Sequence, residues 1–207
     1  MAEIEATPTD QTPTGQSEIS VKGQAVNNIQ ADSVNVRYAT TGDIQAKKVM
    51  ISQAGANQVK AEVVELRQAG AQTVQGDSVS IRQGGAVQVK AGQLSLVQGG
   101  LIFAEAEKSE LTASTVGAIL ASGEVTLDQS AAKAILTRGN VTMDQSGSGV
   151  LVARHVHTGS NSGVIIMLAG RVDGEVNSVF GPAAGAAFGA AFALVLALIL
   201  WIRRRLL

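Results

Sequence analysis

Few residues in this chain are of a type and spacing suited to chemistry. His155 and His157 flank Val156. On a strand, side chains two apart project to one face, so the pair could hold a metal ion. Stacked against the next repeat, Asp173 falls beside His157 as a third ligand, whereas Arg171 falls beside His155 and opposes a cation. No fourth ligand is in reach, so the two read as surface histidines, and neither a metal nor a cofactor is expected. Asp128 and Asp144 follow Leu127 and Met143 at one repeat position. Paired carboxylates can do acid–base work, but a convex side without a cleft leaves them as solvated charges. Gly-x-Ser-x-Gly, His-Glu-x-x-His and phosphate-loop patterns are all missing. The chain is therefore expected not to be an enzyme and to take no small-molecule substrate. It contains no Cys, which excludes disulfides and thiolate chemistry. A net charge of −1 and 3% aromatic residues argue against nucleic acid, which needs a basic face and stacking surfaces.

These residues sit on one short unit written ten times. Units begin at Ile19, Val34, Val49, Val64, Val79, Leu94, Ser109, Val125, Val141 and Val156, 15 or 16 residues apart. Position one is aliphatic in all but Ser109. Position three runs Val21, Val36, Ile51, Leu66, Ile81, Leu96, Leu111, Leu127, Met143, Thr158. Position eleven runs Ile29, Ile44, Val59, Val74, Val89, Ala104, Ile119, Ile135, Leu151, Ile166. Positions one and three share a face of a strand but lie about 200° apart on a helix, so the unit is β. Gln53-Ala54-Gly55, Gln68-Ala69-Gly70, Gln83-Gly84-Gly85 and Gln98-Gly99-Gly100 stand in register as corners, and the recurrent Gly is expected to supply φ > 0 there. Small residues at position thirteen are expected to mark a second corner. The fold expected is all-β: a parallel β-solenoid (β-helix) of about ten coils over 19–173, with aliphatic ladders filling a thin interior. At ~3.3 Å per residue a coil has a perimeter of roughly 50 Å, or three short sides. A hairpin-based array is the rival arrangement. The Gln column either stacks amide on amide or forms a solvated polar corner.

Positions ten and twelve flank the buried eleventh and should point outward. They are polar in the first five units, then become Phe103 and Glu105, Ala118 and Leu120, Ala134 and Leu136, Val150 and Val152, Ile165 and Met167. Leu120, Leu136, Val150, Val152, Ile165 and Met167 are the expected self-association surface. The bland reading is a tolerated apolar patch.

The flanks differ from the array. Residues 1–18 are rich in Pro, Thr, Gln and Glu and read as a disordered arm without signal-peptide character. After a connector at 174–182, residues 183–202 form an uncharged stretch of about the right length to cross a bilayer as one helix, ending in Trp201 and the basic tail 203–207. Gly181, Gly185, Gly189 and Ala193 recur every four residues, a close-packing pattern for helix pairing. Arg203, Arg204 and Arg205 favour a cytoplasmic C-terminus and would place the solenoid outside. The lack of a signal to carry a preceding domain across favours a tail-anchored, single-pass protein with a cytoplasmic solenoid, which is the orientation expected.

A small solenoid of Val- and Ile-rich coils with unstructured flanks resembles the bactofilins, bacterial polymer-forming cytoskeletal proteins. The resemblance covers Ile19 to about Arg171 and rests on the repeat columns. It implies a right-handed triangular β-helix that polymerises end to end without nucleotide. This chain departs from it in the apolar C-terminal stretch and in 15-residue coils with Gln-x-Gly corners. The expected function is a membrane-anchored structural scaffold whose partners are the lipid bilayer and further copies of itself. The alternative is a binding module or adhesin displayed outside the membrane.

Overall fold

The structure, a computed structural model, describes residues 2–3, 18–23, 25–174 and 177–178. Its strands are β1 (Ala2–Glu3), β2 (Glu18–Lys22), β3 (Val26–Arg37), β4 (Thr40–Ser52), β5 (Gly55–Arg67), β6 (Gly70–Arg82), β7 (Gly85–Val97), β8 (Gly100–Thr112), β9 (Thr115–Ala121), β10 (Val125–Asp128), β11 (Ala131–Thr137), β12 (Asn140–Asp144), β13 (Gly147–Thr158), β14 (Gly163–Gly174) and β15 (Asn177–Ser178). Every pairing is parallel, and each residue meets its counterpart one coil along: Val49 with Val64, Val64 with Val79, Val79 with Leu94. A hairpin array requires antiparallel neighbours, so the parallel β-solenoid of about ten coils stands. Of the N-terminal arm, Ala2–Glu3 pairs beside Ile19 and Ser20, and 4–17 lie outside the described residues. So do 179–207, which include the apolar stretch, Gly181, Gly185, Gly189 and Ala193.

The side-chain pattern explains why the coil has this length. In the coil starting at Val64, the inward residues are Val64 and Leu66, Ala69 and Ala71, then Val74 with Gly76 beyond it. Two outward residues follow each pair: Arg67 and Gln68, Gln72 and Thr73, Asp77 and Ser78. Strict alternation within a side and its failure at each pair of outward residues give three sides of five residues. Large aliphatics at positions one, three and eleven interlock with small residues at six, eight and thirteen. The core is a single cluster running from Ile19 to Val164. Fully burying each Val, Leu or Ile contributes about 1.5–3 kcal/mol.

Three expectations change in detail. The left-handed backbone at the first corner belongs not to Gly but to the residue at position five: Gln53, Gln68, Gln83 and Gln98 have φ of 50–54°. Close approach requires glycine at Gly85 and Gly76, whereas a Cβ on Gly55, Gly70 or Gly100 would meet nothing nearer than 3.9 Å. A Cβ on Gly85 would lie 2.6 Å from the Gly100 carbonyl oxygen, and one on Gly76 would lie 2.5 Å from that of Ala61. The small thirteenth column is likewise no corner. It faces inward, with Ala61, Ala106, Ala121 and Ala153 buried, and the bend falls at positions fourteen and fifteen.

The third change is register in the last coil. Leu151 pairs with Met167 and Val150 with Ile166, because the turn after Thr158 holds an extra residue around Gly159-Ser160. Met167 packs partly buried against the core, whereas Ile166 is outward and half exposed. Met167 therefore leaves the expected outward set and Ile166 leaves the core column. The outward position-twelve residue of that coil is Leu168. The two earlier extra residues lie at a different bend, Ser122–Glu124 and Arg138–Asn140, which separates β9 from β10 and β11 from β12.

Candidate assembly surface

One side of the triangular rod carries the candidate site. Its centre is position twelve, its borders are the bends at nine–ten and fourteen–fifteen, and β-pairing sets each column. Through the first six coils the centre reads Gln30, Gln45, Lys60, Gln75, Lys90, Glu105. It then reads Leu120, Leu136, Val152, Leu168. Leu120 is 45% exposed, Leu136 46% and Leu168 63%, while Val152 is partly covered by its neighbours. The nine–ten border adds Phe103, Ala118, Ala134, Val150 and Ile166 in one column, with Ile165 and Ile166 about half exposed at the end. Successive side chains stand ~4.8 Å apart, so the apolar residues form one stripe rather than isolated points. Of the expected self-association residues, Leu120, Leu136, Val150, Val152 and Ile165 lie on it, and Leu168 with Ile166 replaces Met167.

The charge of the fourteen–fifteen border changes along the rod. Toward the N-terminus it is of mixed sign, with Asp32, Lys47, Lys48, Glu62, Asp77, Glu107 and Lys108. Lys47 donates to Asp32 across 2.9 Å, and that carboxylate holds the lysine above its ordinary pKa. Beside this border a shallow open groove runs along the thirteenth column, between Lys60, Lys90 and Glu105 on one bank and Glu62, Asp77 and Glu107 on the other. Its charges are of mixed sign, and Lys90 pairs with Glu105 at 3.1 Å. Such exposed pairs contribute little to stability. Toward the C-terminus the same border reads Arg138, Arg154 with His155, and Arg171.

The remaining chemistry-bearing residues fall as their columns require. His155 pairs in register with Arg171 and His157 with Asp173. Asp173 accepts a hydrogen bond from Arg171 Nε at 3.4 Å. Among the described residues no three His, Cys, Asp or Glu side chains gather as a metal site. Asp128 and Asp144 pair on neighbouring rungs at the first bend.

Two ladders hold that first bend. Outside, Gln53 Nε2 donates to Gln68 Oε1 at 2.9 Å, Gln68 to Gln83 at 3.2 Å and Gln83 to Gln98 at 3.3 Å. The amide-on-amide reading of this column is therefore the one the structure adopts. Inside, at position six, a serine ladder begins where the amide ladder stops. Oγ of Ser114 accepts from the Gly99 N–H at 3.2 Å, and Oγ of Ser130 and Ser146 accept from the Ser114 and Ser130 N–H, both at 3.1 Å. Each of these hydroxyls donates to the carbonyl two residues back, Thr112, Asp128 or Asp144. The sequence carried this signal as Ser114, Ser130, Ser146 and Ser162 at a spacing of 16, but serine beside a turn is too common to point inward by itself.

The chain thus belongs by architecture to the parallel β-solenoids, with an outer side that changes from polar to apolar toward its C-terminal end. Comparison with protein-family models, with curated proteins and with solved structures finds no match.

Proposed function

We propose that the protein is a structural scaffold, anchored in a membrane by residues 183–202 as one helix, that self-assembles through its solenoid. The observation that carries this reading is the apolar stripe Leu120, Leu136, Val152, Leu168. Packing within the chain does not require it, because Ile119, Ile135, Leu151 and Met167 already fill or cover the interior of those coils. An aliphatic side chain that becomes covered contributes about 1.5–3 kcal/mol, so rods paired along four rungs gain a substantial contact. The bactofilin resemblance supports polymer formation, and the parallel solenoid is consistent with it. Gly181, Gly185, Gly189 and Ala193 offer a second contact within the bilayer. Arg203, Arg204 and Arg205 favour the second reading, a rod displayed outside as a binding module. Protease protection in intact cells separates the two.

Changing Leu136, Val152 and Leu168 together to Gln in a segment of residues 1–180 tests self-assembly. The parent segment is expected to be β-rich by circular dichroism and to sediment as a dimer or larger. The variant is expected to keep the spectrum and sediment as a monomer. A monomeric parent, or a variant that associates as strongly, removes the stripe as the contact.

A further inference from the structure

Alongside the apolar stripe runs a cationic ridge that pairing between rods does not neutralise. Arg138, Arg154, His155 and Arg171 are all exposed and occupy the fourteen–fifteen bend of the last three coils, on successive rungs ~4.8 Å apart. The only carboxylate bonded to the ridge among the described residues is Asp173, on Arg171. Glu124, one coil earlier, is held by Lys108 at 3.3 Å. The opposite border of the stripe carries Lys133 and no acid in these coils, so a second copy laid stripe to stripe brings no counter-charge. In the first six coils the same bend is of mixed sign, with Asp32, Glu62, Asp77 and Glu107 against Lys47, Lys48 and Lys108, so the run of cations is local to the last coils and not the character of the whole column.

We infer that this ridge docks the C-terminal end of the rod on the anionic headgroups of the membrane in which the chain is anchored. The inference rests on the anchor reading above. Asn177 and Ser178 still pair with Gly163 and Val164, so only residues 179–182 separate the sheet from the apolar stretch, a tether of four residues that reaches at most ~14 Å. The last three coils span only ~14 Å, so the tether holds the ridge within reach of the headgroup layer. Arginine matches phosphate geometry with paired N–H donors. Each arginine near an anionic surface shifts the equilibrium toward contact about fivefold.

The full chain reconstituted in nanodiscs tests this. The protein has no native cysteine, so Asn140→Cys, beside the ridge, takes a single nitroxide label, and Asn27→Cys near the other end serves as the reference. In discs containing phosphatidylserine, the Asn140 label is expected to lose access to a water-soluble nickel relaxant and to regain it at high salt. In phosphatidylcholine discs it is expected to stay water-accessible, as the Asn27 label does in both. Adding Arg138→Gln and Arg154→Gln is expected to weaken the docked state on the order of 25-fold while the Asn27 label is unchanged. A chain that enters the discs but shows equal Asn140 access in both lipids overturns the inference alone. Protection that ignores lipid charge and rises with the number of chains per disc assigns the ridge to a second copy. A chain that enters neither disc overturns the anchor reading and this inference with it.

Discussion

The coils starting at Val49 to Leu94 and those from Ser109 onward turn the same corner with opposite devices. In the first group the cross-rung bonds lie outside, between the exposed amides of Gln53, Gln68, Gln83 and Gln98, and the residue beneath is Ala54, Ala69, Gly84 or Gly99. Ala113 ends that ladder, and in the very same coil Ser114 opens the buried one. Gln129 and Gln145 keep the left-handed backbone without an amide bond between them among the described residues. The comparison teaches that a side-chain link from rung to rung at this bend is not tied to one side of the wall. A non-glycine residue in the left-handed region costs roughly 1–2 kcal/mol, and each ladder offsets part of that cost in the coils it joins.

The difference can be sharpened by substitutions, read as shifts in urea denaturation of the 1–180 segment. The largest effect is expected where the halves are alike. Leu66→Asp and Leu127→Asp each bury an unpaired carboxylate in a fully enclosed column and should cost about 4 kcal/mol or more. A small effect at either site would show that the two halves do not share one core. Next comes Ser130→Ala, which leaves the buried Ser114 N–H without its acceptor and should cost about 2 kcal/mol. Third is Ser109→Ala. Ser109 Oγ is fully buried in the first column with no hydrogen-bond partner among the described residues, so removing it should raise stability by about 1 kcal/mol. The smallest is Gln68→Ala, which removes two exposed amide bonds and should cost about 0.5 kcal/mol. If Gln68→Ala costs as much as Ser130→Ala, the outer and inner ladders are equivalent and the contrast between the halves is only cosmetic.

The columns that sequence alone exposes are those filled by large aliphatics. Val64, Leu66 and Val74 announce an inward face because their burial is the main driving force and no other role suits them. Positions six and eight stay hidden because their occupants, such as Ala69, Ala71 and Ser130, are small enough to belong anywhere. Gly is the usual owner of a positive φ, so Gln68 at 50° is legible only once its amide is seen bonded to the next coil. The apolar stripe shows as a change of composition between columns that must face out. Its last rung is misplaced by one because Ile165, Ile166, Met167 and Leu168 offer no alternation to read, and only the pairing of Leu151 with Met167 resolves it. The cationic bend escapes notice because Arg138, Arg154 and Arg171 lie 16 and 17 residues apart, across coils of unequal length.

The uniform register, in which Val49, Val64, Val79 and Leu94 meet one above another, makes the molecule a ruler graduated in rungs. Removing Val64 to Ser78 as a block would join equivalent positions, keep every column intact and bring the two ends nearer by one graduation, ~4.8 Å. Inserting a copy of the same block would extend it by one. Whatever is attached at one end of the rod is held from the other end at a distance written directly as a number of repeats, and that distance can be changed without touching either terminus.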